Sequence, residues 1–272
     1  MLIIGLEGWI DAGSASSGAI AALLEEYDTR TFAVFDSDEL IDQRARRPSV
    51  RRQDGVRGRI FWPGPRLRVG IDPSMAPIAF LVGSEPDLRW RPFAKEVTEL
   101  AVELGASLVV GFGAVPVQTP HTRAVPVTAT ASDQALARRI GFRQGSRDRP
   151  ARISDVIGVF CADAGIPSID LVVRVPHYVS SMPYPAATVA LLEALTTVSG
   201  IVADTRRLRR EAEATRKQVD ELIAQSAEHV TMVRQLEEQY EVDDPDIVTE
   251  SDIPSGDEIA EELERYLRGE MP

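Results

Sequence analysis

The stretch Gly165–Leu195, GIPSIDLVVRVPHYVSSMPYPAATVALLEAL, decides the fold. Ile169 to Val175 is a Val/Leu run held between prolines, the pattern of a strand buried on both faces. The Pro-His-Tyr segment after it puts His177 and Tyr178 at the carboxyl end of that strand, where open α/β sheets hold their ligands. A helix then starts near Pro185, because a proline in the first turn gives up an N–H that has no intrahelical partner. Val189, Leu191, Leu192 and Leu195 turn that helix back onto the sheet.

Working outward, strand and helix alternate along the chain. Leu2–Leu6, Thr31–Phe35, Leu67–Ile71, Ile78–Val82, Leu108–Gly111 and Val125–Ala129 read as strands. Helices are expected from a Ser14 cap to about Tyr27, over Pro92–Leu104, from Ser132, and near Ser154–Ala164. Alternation of this kind predicts an α/β fold: a three-layer α/β/α sandwich around a mostly parallel sheet, with a C-terminal helical extension. The expected division is an α/β domain over 1–203, one long helix over 204–240, and an acidic tail over 241–272.

The long helix carries a heptad seam. Leu208, Ala212, Thr215, Val219, Leu222, Ser226, His229, Val233, Leu236 and Tyr240 follow an unbroken alternation of four and three. Thr, Ser and His weaken it, so it points to packing on another part of the chain or on another subunit, not to a free-standing zipper. In the tail, Glu241–Pro254 reads as a disordered acidic linker. Ser255 and Glu258 then form a capping-box pattern, and Ile259, Leu263, Tyr266 and Leu267 mark one face of a short amphipathic helix.

Charge is unevenly placed. The chain has 42 acidic and 30 basic residues, a net charge of -12, and from Glu237 onward there are 14 acids against 2 arginines. Residues 1–236 therefore hold 28 of each sign and are neutral. No apolar run approaches the roughly 20 residues that span a bilayer, which excludes a membrane partner of that kind. The start has no basic region ahead of an apolar one, so no signal peptide is expected. A single cysteine, Cys161, lies in an apolar run and reads as a buried structural thiol in a reducing cytoplasm.

Several motifs bear on chemistry. Gly13-Ser-Ala-Ser-Ser-Gly18 has the glycine spacing of a phosphate loop but lacks its lysine, and reads as a tight turn with helix capping whose end can attract an anion. Gly111-Phe-Gly113 meets Pro116 where a dinucleotide site needs glycine, and reads as a sharp turn after a strand. Glu7, Asp11, His121, Arg123, His177 and Tyr178 all follow predicted strands and form the candidate binding cleft. Their types suit acid–base work or anion binding, or simple bonding to neighbouring backbone. No catalytic residue is assigned, and no cofactor is implied. The three histidines are too far apart in sequence to suggest a metal site. Arg44 to Arg68 holds nine arginines and one acid, Asp54. With lysine absent and aromatics sparse, it reads as a solvated loop or a dock for an acidic tail, and nucleic acid is disfavoured.

Three blocks in order, GLEGWIDAG (Gly5–Gly13), LVVGFGAVPVQTPHTR (Leu108–Arg123) and the Gly165–Leu195 segment, with a weaker echo in RISDVIGVFCADAGIP (Arg152–Pro167), resemble the proteasome assembly chaperone 2 family. The resemblance spans roughly Met1 to Tyr240. Basic residues are nearly all arginine, with only Lys95 and Lys217 as lysines, which fits a GC-rich bacterial genome and an actinobacterial member. The resemblance implies a fold similar to nucleoside phosphorylases and related hydrolases. It also implies a homo-oligomer and a non-enzymatic interaction or assembly protein whose partner is itself and a proteasome-like or other complex. The alternative is a hydrolase or phosphorylase acting on a small anionic substrate in the strand-end cleft. Family members that dock on proteasome rings can use a terminal hydrophobic-Tyr-any motif. This sequence ends Glu270-Met271-Pro272 with Tyr266 further in, an expectation against that route. A convergent cleft holding an anion favours the enzyme; filled strand ends and a large apolar interface favour the scaffold.

Overall fold

A computed structural model describes residues 1–8, 11–72, 75–141 and 149–242. The expected linker from 243 onward and the amphipathic helix after Ser255 lie outside the described residues. In chain order the elements are β1 (Leu2–Glu7), α1 (Ala15–Glu26), β2 (Thr29–Val34), α2 (Ser37–Leu40), β3 (Ser49–Gln53), β4 (Val56–Phe61), β5 (Pro65–Ile71), β6 (Pro77–Ser84), α3 (Trp90–Glu103), β7 (Val109–Val117), β8 (Val127–Ala131), α4 (Gln134–Ile140), α5 (Ile153–Asp163), β9 (Ser168–Pro176), α6 (Pro185–Ser199), α7 (Arg206–Ala224) and α8 (Ala227–Val242).

One sheet of seven strands, in the order β2-β5-β6-β1-β7-β9-β8, runs through the molecule. Its centre, β6-β1-β7-β9, is parallel, while β2, β5 and β8 add antiparallel pairings at the flanks. Successive side chains point to opposite faces and find different cores. Ile3, Val110, Leu171, Val173 and Val175 pack under α1, α6 and α7. Leu2, Ile4, Leu81 and Val109 pack under α3 and α5. Leu171, Val173 and Val175 are each 0% exposed, and such side chains contribute about 1.5–3 kcal/mol apiece on burial. This is the three-layer α/β/α sandwich the alternation predicted, and helices at its C-terminal end extend it.

Strand β7 and the heptad stretch depart from expectation. Strand β7 does not end at Gly111; it runs through Gly111, Gly113 and Pro116 to Val117. The glycines are there for space, since a Cβ on Gly113 would overlap the Arg152 guanidinium and one on Gly111 the Asp170 carboxylate. The heptad stretch is two helices, not one, with α7 giving way to α8 at Gln225–Ser226. Leu208 and Val219 of that seam are buried in the core beneath α6, so α7 packs on its own fold.

Candidate functional site

Strands β1, β7 and β9 are parallel, so the loops leaving them meet at one edge of the sheet. His121 lies on the loop after β7 and is 4% exposed. The short 3-10 turn His177–Val179 after β9 delivers Tyr178 beneath it. The Tyr178 hydroxyl accepts the His121 backbone N–H at 2.8 Å and lies 2.7 Å from Nδ1. On the far side of the ring, Nε2 is 2.9 Å from Asp220 Oδ1 on α7. A neutral imidazole with its hydrogen on Nε2 satisfies every atom of this chain: Tyr178 O–H donates to Nδ1, and Nε2–H donates to Asp220.

Helix α8 closes the next stretch of the loop. The Thr122 hydroxyl donates to Glu237, Arg123 Nη1 reaches the same carboxylate at 3.4 Å, and Tyr240 O–H donates to the Ala124 carbonyl at 3.3 Å. Burial pushes the Tyr178 phenol up to about 12, helped by the charges of Glu237 and Asp220 and opposed by the His121 N–H. Burial likewise raises Tyr184. Both phenols are therefore neutral at ordinary pH, and that of Tyr178 is hydrogen-bonded to His121.

Of the six candidate cleft residues, the structure joins His121 and Tyr178 by hydrogen bonds and places Arg123 beside them through Glu237. His177 is exposed and stacks edge-on against the Tyr178 ring, with centroids 5.3 Å apart. The two imidazoles thus both meet one phenol ring edge-on, one buried and one exposed. Asp11 serves backbone: its carboxylate accepts the Ser16 and Ser17 N–H groups at 2.8 and 3.0 Å, at the start of α1. It fills, from within the chain, the anion position that the glycine-spaced loop suggested. Ser14, the expected cap, makes no side-chain cap bond. Gly13 sits at φ +65°, and a Cβ there would press on Tyr184 Cβ at 2.8 Å, so this turn needs glycine. Glu7 is exposed at the end of β1.

Sequence reasoning missed Asp220, Thr122 and Glu237. A signal was present: Asp220 and Glu237 each directly follow a seam residue, Val219 and Leu236, and both of those are buried. A helix anchored through the seam carries its neighbouring carboxylates to the surface it covers.

A second polar cluster was also missed, on the opposite face of the sheet. Arg152 Nη2 pairs with Asp170 Oδ1 at 3.0 Å and its Nη1 donates to the Phe112 carbonyl at 3.1 Å. Burial raises Asp170, against the pull of Arg152. Asp155 feels burial too, but the Arg149 hydrogen bonds and the Arg152 charge outweigh it and hold it low. Glu85, 8% exposed, accepts the Ile153 N–H at the head of α5. Burial raises the Cys161 thiol, which touches Thr98 Oγ1 at 3.5 Å. Among the described residues, no group of three His, Cys, Asp or Glu side chains comes together as a metal would need, and no helix is long and apolar enough to cross a membrane.

One family profile, that of the PAC2 family, matches residues 5–223 of the chain. The chain belongs to the PAC2 family. A PAC2 family protein from Streptomyces avermitilis is 37% identical, covering 85% of this chain and 98% of that one, with a TM-score of 0.77. A proteasome-assembly chaperone homologue of Mycobacterium tuberculosis is 34% identical, covering 86% and 100%, with a TM-score of 0.79. Both PAC2 relatives come from actinobacteria. An archaeal proteasome activator from Pyrococcus furiosus, 17% identical over 81% of this chain and 92% of its own, shares the PAC2 fold at a TM-score of 0.63. No curated protein matches the sequence.

Proposed function

We propose that this PAC2-family chain is a non-enzymatic interaction or assembly protein that works through its surface. The observation that carries the reading is the chain Tyr178–His121–Asp220, with Glu237 beside it. At the sheet edge where a hydrolase or phosphorylase needs open, convergent groups, the imidazole and the loop behind it are held by side chains of α7 and α8. A buried, fully partnered imidazole stiffens a structure; it has no free nitrogen for a substrate.

The proposal extends to a homo-oligomer of cytoplasmic location that engages a proteasome-related or other protein complex. The actinobacterial relative described as a proteasome-assembly chaperone homologue supports that direction. The single, buried cysteine fits a reducing compartment. The test is affinity capture with the tagged full chain from a proteasome-bearing actinobacterial lysate, paired with light scattering of the pure protein. Enrichment of proteasome subunits over a tag-only control, from an oligomer, is the expected result. A monomer that captures no proteasome subunit or other defined complex and hydrolyses a small anionic ester would overturn it.

A further inference from the structure

Strands β3 and β4 form a separate two-stranded ribbon outside the main sheet. Asp54 (φ +50°) and Gly55 (φ +80°) make its turn, as an Asp-Gly pair favours. Every residue of both strands is exposed. A lone two-stranded ribbon is marginal in water unless something covers it.

Its chemistry specifies the cover. Arg51 and Arg59 both lie over the Phe61 ring, at 5.3 and 5.5 Å, so these three share a face. Val50 pairs with Ile60, which therefore look to the other side, and Arg52 stands directly opposite Arg57. Like charges facing each other across a ladder destabilise it. Arg46 and Arg68, near its ends, are engaged with Asp87 and Thr29. The four ribbon arginines have no carboxylate partner among the described residues. Beside them Val50, Ile60, Phe61 and Trp62 are 40–52% exposed. The ribbon is a cationic arm with apolar side chains between its charges.

We propose that this arm docks the chain's own acidic segment, residues 243–272, from the same or a second copy. That segment holds 11 acids and 2 arginines, and its Ile259, Leu263, Tyr266 and Leu267 offer apolar groups between the charges. At up to about 3.3 Å per residue, 30 residues reach about 100 Å, so distance does not limit the contact. A tethered anion acts at high effective concentration. A nucleic acid, by contrast, must compete for the arm with a tethered segment of 11 acids.

The experiment is hydrogen exchange by mass spectrometry on the full chain. One variant neutralises the segment (its Asp to Asn and Glu to Gln), and another carries Arg51→Ser, Arg52→Ser, Arg57→Ser and Arg59→Ser. The arginine changes lie on the ribbon outside the main sheet, and circular dichroism checks the fold of both variants. Exchange in 49–62 is expected to rise about tenfold in the neutral-segment variant, and exchange in 243–272 to rise in the arginine variant. Both gains should also appear in high salt. Loss of the protection on dilution assigns the contact to a second copy, and its persistence to the same copy. Exchange in either segment that ignores the other's charges overturns the proposal, as does protection of the arm only when RNA is added.

Discussion

His121, at the edge of the α/β sheet, holds Asp220 of α7 at 2.9 Å across 99 residues of sequence. The imidazole side chain is 2% exposed and the carboxylate 50%. The bond therefore joins a buried group of the body to a surface group of the extension. Removing the buried end should cost far more than removing the surface end. His121→Ala is expected to destabilise the fold by about 2–3 kcal/mol, because it opens a cavity and removes the Nδ1 acceptor of the Tyr178 O–H, which keeps only the backbone N–H of position 121. Asp220→Ala is expected to cost about 1 kcal/mol, since water can replace the carboxylate. Urea denaturation of both variants checks the order.

The glycines of β7 make room for an ion pair. Gly113→Ala would drive a methyl into the Arg152 guanidinium and separate it from Asp170, a carboxylate whose side chain is 11% exposed. A loss of about 3 kcal/mol is expected, in the range for breaking a buried pair. In an Arg152→Ala background the same change should cost under about 1 kcal/mol, because the obstructing group is gone. Equal costs in the two backgrounds would place the glycine's role in backbone freedom instead.

Asp11 caps α1 through two backbone N–H groups. Asp11→Ala should cost about 1 kcal/mol, and Asp11→Asn should recover part of it through one remaining acceptor. Thermal unfolding of the pair, compared with the parent chain, measures both.

The Tyr178 phenol ionises near 12 in the fold and at about 10 in the unfolded chain. Its folded value is raised and its neutral form is the native one. Stability is therefore unaffected by this group below pH 10 and falls as pH rises from 10 toward 12. Tyr178→Phe should flatten that alkaline slope while lowering stability at neutral pH. Chemical denaturation at pH 8 and pH 11 compares the two proteins directly.

How far the sequence could be read depended on the range of the interactions. Leu171, Val173 and Val175 announce a doubly buried strand because burial is a local demand on each side chain, and Pro185 marks the start of its helix for an equally local reason. Ser14 was misjudged because a capping hydroxyl and the Asp11 carboxylate compete for the same N–H groups, and the carboxylate wins on charge. Gly111 and Gly113 looked like a turn because the partner that needs their space, Arg152, is remote in sequence. The six candidate cleft residues could be placed at strand ends from the pattern alone. Their partners were marked only as neighbours of the seam residues Val219 and Leu236: Asp220 pairs with a group 99 residues away, and Glu237 lies beyond a break at Gln225–Ser226 that the heptad spacing runs through without a sign.

The most direct test of the closed strand-end site is native-state hydrogen exchange at residues 119–124, with and without inorganic phosphate in excess. The account predicts slow exchange at the His121 amide, lost only with global unfolding and unchanged by phosphate, because Tyr178, Asp220 and Glu237 already occupy the edge. Rapid exchange there that slows when phosphate is added would contradict it, showing an open cleft that takes an anion.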